Sequence, residues 1–130
     1  MYSSIKLFIV FVIILVFLQA SSEASGKTTV AIVNNLQGAV APPVLTVHCQ
    51  SKDDDLGFHR IRGGLVWEFS FRPSFFGNTL FFCSFEWPGG FHHFDIYVEK
   101  RDFDRCGYCI WHVKPDGPCF RNSECEKWNP

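Results

Sequence analysis

The sequence predicts an all-β domain: a small antiparallel β-sandwich of about seven to eight strands, braced by disulfides. Three observations predict it. Short apolar runs with period-two alternation recur along the chain, separated by Gly, Pro, Asn and Asp. Beyond residue 24 no segment keeps a helical period over three turns. Six cysteines, an even set, all lie in that same part of the chain.

The N-terminus stands apart. Lys6 precedes an unbroken apolar run, Leu7 to Leu18, and small residues follow at Ala20, Ser22 and Ala24. This is the layout of a secretory signal peptide. The run is shorter than the ~20 apolar residues needed to span ~30 Å of hydrocarbon. Ser22 and Ala24 satisfy the small-x-small rule, so cleavage is expected after Ala24. A cut after Ala20 would place the bulky Leu18 at the third position before it. Residues 1–24 are thus expected to be a signal peptide, and residues 25–130 a single domain without internal repeats or low-complexity linkers.

Composition narrows the classes. Lys and Arg number 12 against 13 Asp and Glu, with no basic stripe, so no nucleic-acid partner is expected. The 15 Phe and 4 Trp exclude a disordered chain. No second long apolar segment follows, so no membrane insertion is expected. Asn78-Thr79-Leu80 and Asn122-Ser123-Glu124 carry the hydroxyl one position too early for N-glycosylation.

The strands are expected in order. Thr28 to Leu36 is β-branched and ends near a turn-prone Asn pair; a Gly/Pro loop from Gln37 to Pro43 follows. Leu45, Val47 and Cys49 alternate with polar neighbours, and Ser51 to Gly57 breaks the pattern. Trp67, Phe69 and Phe71 alternate next, before a loop from Pro73 to Asn78. Leu80 to Trp87 is apolar on both faces apart from Ser84 and Glu86 and reads as a central strand. After the Pro88-Gly89-Gly90 turn, Phe94, Ile96 and Val98 point inward, with Tyr97 and Glu99 in the outward set. Lys100 to Arg105 is a charged connection. Cys109, Trp111 and Val113 form the next inward set, and Pro118 to Arg121 closes the series. The shared core is expected to hold Val47, Trp67, Phe69, Phe81, Phe85, Phe94, Ile96 and Trp111.

Disulfides are expected among Cys49, Cys83, Cys106, Cys109, Cys119 and Cys125, because an exported chain meets an oxidising compartment. Six cysteines allow 15 pairings. Placement along the strands suggests Cys49–Cys119 and Cys83–Cys106, leaving Cys109 and Cys125 to join. Cys106-Gly107-Tyr108-Cys109 matches a redox C-x-x-C, but it runs into a strand rather than opening a helix. Zinc would need a second closely spaced pair, which Cys119 and Cys125 do not supply. No metal or other cofactor is expected.

Asp53-Asp54-Asp55 is read as a solvated turn whose carboxylates cap backbone N–H groups, since three consecutive residues cannot all face one ion. The five histidines suggest acid–base catalysis, but no Gly-x-Ser-x-Gly elbow, HExxH or phosphate loop accompanies them. His93 and Asp95 share the solvent face, and His92 adjoins a Gly-Gly turn. No catalytic residue is assigned, and the chain is expected not to be an enzyme.

Three ordered stretches carry a family resemblance. They are Leu45-Thr46-Val47-His48-Cys49 running into Lys52-Asp53-Asp54-Asp55-Leu56-Gly57; then Trp67-Glu68-Phe69-Ser70-Phe71 leading to Thr79-Leu80-Phe81-Phe82-Cys83; then Cys106-x-x-Cys109-Ile110-Trp111 with Asp116-Gly117-Pro118-Cys119. Together they resemble the plant self-incompatibility protein family, the S-protein homologues, from Val30 to about Phe120. The resemblance implies a small secreted β-sandwich acting as a ligand in plant cell–cell recognition, including self-incompatibility, rather than as a catalyst. Founding members are pistil determinants recognised by a membrane protein on pollen. The implied partner is a plasma-membrane receptor or other cell-surface protein, and a monomer is expected. The alternative is a secreted defence effector acting on membranes or as a hydrolase. Family members often carry sugar on loops; this chain lacks the sequon.

Recognition on such a scaffold is expected on loops. The candidates are Ser51–Gly57, with Asp53, Asp54 and Asp55; Pro73–Asn78, with Phe75 and Phe76; Pro88–His92, with His92; and Lys100–Arg105. Phe75 and Phe76 are expected to tuck under the sheet, because soluble surfaces rarely leave so much apolar area open. N-terminal sequencing of protein recovered from culture medium is expected to begin at Ser25. A start at Met1 would contradict the signal-peptide assignment.

Overall fold

The structure, a computed structural model, describes residues 2–130. Helix α1 (Tyr2–Ser25) precedes the sheets, and its side chains from Ile5 to Leu15 are exposed rather than packed in the core. The expected cleavage site, Ser22-Glu23-Ala24, lies outside the residues whose side chains are described. Among the described residues no helix is long and apolar enough to cross a membrane.

Two sheets follow. One holds β1 (Thr28–Asn34), β4 (Val66–Phe71), β7 (Tyr108–Lys114), β8 (Gly117–Phe120) and β9 (Glu124–Cys125), in the order β4-β1-β7-β8-β9. The other holds β2 (Leu45–Gln50), β3 (Asp55–Ile61), β5 (Leu80–Trp87) and β6 (Gly90–Val98), in the order β3-β2-β5-β6. As expected, β5 is an interior strand. The β1–β7 pair is parallel, while every other described pair is antiparallel. This one pair corrects the purely antiparallel expectation: the chain crosses to the second sheet and back before β7, too long a path to require a hairpin.

The core lies between the sheets. Val47, Phe81, Phe85, Phe94, Ile96 and Trp111 are buried as expected, whereas Trp67 and Phe69 are only partly buried at its margin. Trp67 stacks instead on His59, with ring centroids 4.0 Å apart. Two bulges redirect the alternation. On β6 an extra residue lies between the partners of Phe81 and Cys83, so Ile96 and Tyr97 both end up buried. That overturns the outward placement of Tyr97. On β3 the second bulge falls near Gly57, whose φ of 77° suits a residue without Cβ. The segment from Asp55 therefore pairs with β2 instead of remaining a loop up to Gly57.

Asn34 fastens the two sheets at one end. It is buried, donates Nδ2 to the carbonyls of Pro43 and Ile61 at 2.8 and 2.9 Å, and accepts from the Leu36 N–H at 3.0 Å. Every hydrogen-bonding group of this amide that points inward is thus occupied by backbone from either side of the sandwich.

The bridges are Cys49–Cys83, Cys106–Cys109 and Cys119–Cys125. The expected pairs Cys49–Cys119, Cys83–Cys106 and Cys109–Cys125 are overturned. Cys49 and Cys83 face each other in register on β2 and β5, and Cys119 faces Cys125 on β8 and β9. A cross-strand neighbour is already within bridging distance, so no bridge needs to cross the core. Cys106 and Cys109 close a turn at the start of β7. Loop-closure entropy gives the Cys49–Cys83 bridge, at separation 34, a stabilisation of about 4 kcal/mol, and the Cys119–Cys125 bridge, at separation 6, about 2 kcal/mol. Denaturant melts of the Cys49→Ala/Cys83→Ala and Cys119→Ala/Cys125→Ala double variants are expected to keep that order; a larger loss from the second would contradict the assignment.

Candidate functional site

Two of the four candidate loops meet around one cleft of about 890 Å³. The β2–β3 turn supplies Ser51, Lys52, Asp53 and Asp54 on one side. The β4–β5 loop supplies Arg72, Ser74, Asn78 and Thr79 on the other, with Phe71 and Phe81 between them. Charges of both signs therefore line an entrance above aromatic rings.

Each loop is fixed by its own hydrogen bonds. In the first, the Ser51 N–H donates to the Asp54 carbonyl at 2.7 Å, and the Asp54 N–H donates to Ser51 Oγ at 3.1 Å. Asp53 and Asp54 are exposed, as a solvated turn requires. Asp55 is exposed as well and, as expected, caps a backbone N–H. Its Oδ1 accepts from the Gly57 N–H at 2.9 Å and lies 2.7 Å from His48 Nε2. The Gly57 bond, and after it the His48 bond, hold its carboxyl below the ordinary aspartate range.

The second loop is more tightly built. The Ser74 N–H donates to Thr79 Oγ1 at 2.6 Å, the Phe76 N–H to Ser74 Oγ at 3.1 Å, and the Gly77 N–H to the Ser74 carbonyl at 3.2 Å. Its base is held by Glu99, the first residue of the short helix α2 (Glu99–Asp102). The Thr79 N–H donates to Glu99 Oε1 at 3.2 Å, and the Glu99 N–H returns a bond to the Thr79 carbonyl at 3.0 Å. Gly77, at φ 75°, leaves room where an added Cβ would sit 3.4 Å from Glu99 Oε2. The tip of this loop carries Phe75 and Phe76, 97% and 85% exposed, with their rings edge to face at 5.7 Å. The expectation that they tuck under the sheet is thus overturned. The loop spends its hydrogen bonds on its own turn and projects both rings outward.

The other two loops lie elsewhere. His92 is half-buried, stacked on Trp128 at 5.0 Å and tilted against Trp87 at 5.4 Å, away from the cleft lining. Lys100–Arg105 is not a free charged connection. Asp102 is fully buried and accepts from the Val98 N–H at 2.9 Å and from Arg101 at 2.8 and 2.7 Å. The guanidinium of Arg105 reaches Asp102 at 3.4 Å and lies 3.6 Å above the Phe120 ring. Sequence reasoning missed the anchoring roles of Glu99 and Asp102. Their signal was two acids three residues apart directly after an apolar strand, the spacing that puts both on one helix face.

The histidines are dispersed. His48 meets Asp55, His59 stacks on Trp67, His93 sits edge-on to Phe91, and His112 has its pKa lowered by burial and then by Lys114. Ser84 lies opposite both His48 and His93 in register, but the described hydrogen bonds include none between Ser84 and either ring. Cys106 and Cys109, the redox candidate, are bridged and buried. Among the described residues no group of His, Cys, Asp or Glu is arranged to hold a metal ion.

The fold and the cleft define a class: a small disulfide-braced β-sandwich that presents structured loops at one end. Residues 29–129 match the family model for plant self-incompatibility protein S1, and the chain belongs to that family. It is 44% identical over 104 residues to S-protein homolog 5 of Arabidopsis thaliana, covering 78% of this chain and 79% of that protein. It is 36% identical over 138 residues to S-protein homolog 29 of Arabidopsis thaliana, covering 99% of this chain and 100% of that protein. A solved structure of self-incompatibility protein homologues superposes with a TM-score of 0.55 at 19% identity, covering 81% of this chain and 96% of that one. Those homologues are described as a widespread family of small, highly stable, secreted proteins from plants.

The depressed pKa of Asp55 sets an acid dependence. A carboxyl with a lower pKa folded than unfolded contributes stability that is complete above its unfolded value and disappears as pH falls through the folded one. Asp55→Asn is therefore expected to destabilise the protein at neutral pH and to converge with the wild type at the acid end. Denaturant midpoints measured between about pH 2 and pH 7 check this. A constant difference across that range would contradict it.

Proposed function

We propose that the protein is a secreted, non-catalytic ligand for a cell-surface protein, a plasma-membrane receptor, acting in plant cell–cell recognition. The observation that carries this reading is the pair of exposed phenyl rings on a turn that is already hydrogen-bonded into one shape, beside an acidic turn on the same cleft. Aromatic anchors fixed before binding lose little entropy on docking, which is how few residues can dominate an interface. Family membership supports the ligand role, and the secreted homologues of like fold support export. Export proceeds with removal of residues 1–24 as a signal peptide, leaving the monomeric domain 25–130. Self-incompatibility is the form of recognition named by the family; this chain's partner is matched to its own loops.

In this reading Phe75 and Phe76 supply contact area, and Asp53 and Asp54 supply charge that steers a basic partner surface. The test is binding of the secreted protein to wall-free plant protoplasts, which expose the plasma membrane. Phe75→Ala with Phe76→Ala is expected to weaken binding by about 30-fold or more, as loss of an interface anchor does. Asp53→Asn with Asp54→Asn is expected to weaken it less, with the effect shrinking as added salt shortens the ~8 Å screening length. Both variants keep their melting temperature, because all four side chains are exposed. Vesicle leakage, or hydrolysis of RNA or glycan lost on His92→Gln or His93→Gln, would instead favour a defence effector.

A further inference from the structure

The outer face of the β3-β2-β5-β6 sheet combines aromatic rings and polar groups in a regular grid. One row across the strands reads Arg60, Thr46, Glu86, Phe91. The next reads Phe58, His48, Ser84, His93. A third reads Asp55, Gln50, Phe82. Phe58 is 70% exposed, Phe91 59% and Phe82 37%. Phe58 lies on the His48 ring at 4.2 Å, and Phe91 stands edge-on to His93 at 5.0 Å, so neighbours hold both phenyl rings in place. From strand and residue spacing the grid measures about 14 Å by about 14 Å.

The pattern discriminates among partners. Each row carries one phenylalanine among hydroxyl, amide, imidazole and charged side chains, and the apolar step from Phe82 to Leu80 on the same face is small. A protein-interface core is depleted in charge, and a bilayer-binding face concentrates Lys and Arg around an apolar stripe. This face does neither. Asp55 and Glu86 outnumber Arg60, which disfavours a polyanion. A small ligand would need a concave site, and the centre of the sheet is not one. The face also continues at both ends. Phe82 belongs to the lining of the 890 Å³ cleft, and Thr46, Arg60 and Glu86 line a second groove of about 530 Å³ with Trp87 and Pro88. A linear ligand lying along the strands would run from one to the other.

We propose that this face is a docking platform for an extended, neutral, β-linked polysaccharide. The sugar ring offers a C–H face and a rim of hydroxyls. Phe91 and Phe82, on the neighbouring strands β6 and β5, take the C–H faces of a chain lying along those strands, while Ser84 and Glu86 between them and Gln50 beside them meet the hydroxyls. Uncharged sugar carries nothing for the carboxylates to repel. The platform does not depend on the receptor reading, since Phe75 and Phe76 lie on the β4–β5 loop and not on this sheet face.

Affinity electrophoresis of the secreted protein tests it, with xyloglucan, hydroxyethylcellulose or polygalacturonate cast into native gels. Retardation is expected in the two neutral β-glucans and not in the polyanion. Phe82→Ala with Phe91→Ala is expected to lose about tenfold or more in affinity. Phe82→Tyr with Phe91→Tyr, which keeps the ring faces, retains binding and covers the case in which the alanine variant fails to fold. Phe75→Ala with Phe76→Ala retains glycan binding while losing protoplast binding, so failure here and failure of the receptor reading are separable. Absence of retardation in both neutral glucans overturns the proposal. So does equal retardation in polygalacturonate, loss of binding in the tyrosine variant while it remains folded, or undiminished binding by a folded alanine variant.

Discussion

A carboxylate taken out of water has to be met by donors, and the protein buries two of them on the single short turn of α2. Asp102 gathers Arg101, Arg105 and the end of β6 around itself. The two guanidinium groups in turn cover Trp111 and Phe120 of the opposite sheet. Glu99, one turn earlier, takes the N–H of Thr79 and so fixes the base of the β4–β5 loop. One helical turn thereby joins both sheets and sets the shape of the loop that carries Phe75 and Phe76. Burying these charges has a desolvation cost that hydrophobic residues would avoid; what the carboxylates supply is geometry, through bonds that a hydrocarbon side chain cannot make.

The rest of the scaffold complements that turn. Asn34 ties the sheets at the end of β1 with three backbone partners, and Cys49–Cys83 locks the central pair of the four-stranded sheet. At the C-terminus, Cys119–Cys125 directs the last residues back across the molecule. Trp128 there donates Nε1 to the Pro115 carbonyl at 2.9 Å and stacks on His92. The loops of the cleft and the outer face of the second sheet are left to meet partners, and they differ in kind. One presents projecting rings beside exposed charges; the other is a mixture of rings and hydrogen-bonding groups.

Much of this was legible in the sequence because alternation is a local property. Val47, Phe85, Ile96 and Trp111 announce their direction through their neighbours, and the sandwich follows from summing such runs. Three things were hidden. The β6 bulge turns Tyr97 inward, and an inserted residue leaves no mark on composition. Strand β3 carries Asp55 and Gly57, turn formers that its own bulge requires, so its start resembles a loop. Cysteine pairing depends on which strands become neighbours, and that choice is made at long range. At the site, Asp53 and Asp54 read correctly as solvated. Phe75 and Phe76 did not, because their exposure is decided by Ser74, Thr79 and Glu99 satisfying the turn, not by the hydrophobicity of the rings.

The central claim is that the Phe75–Phe76 turn is rigid before any partner arrives, held through Thr79 to Glu99. Backbone 15N relaxation of the secreted protein measures this directly. The account predicts N–H order parameters at Ser74, Phe76 and Gly77 near the ~0.85 of rigid strand backbone. Values below about 0.6 at those amides would contradict it, leaving a flexible loop that takes shape only on binding.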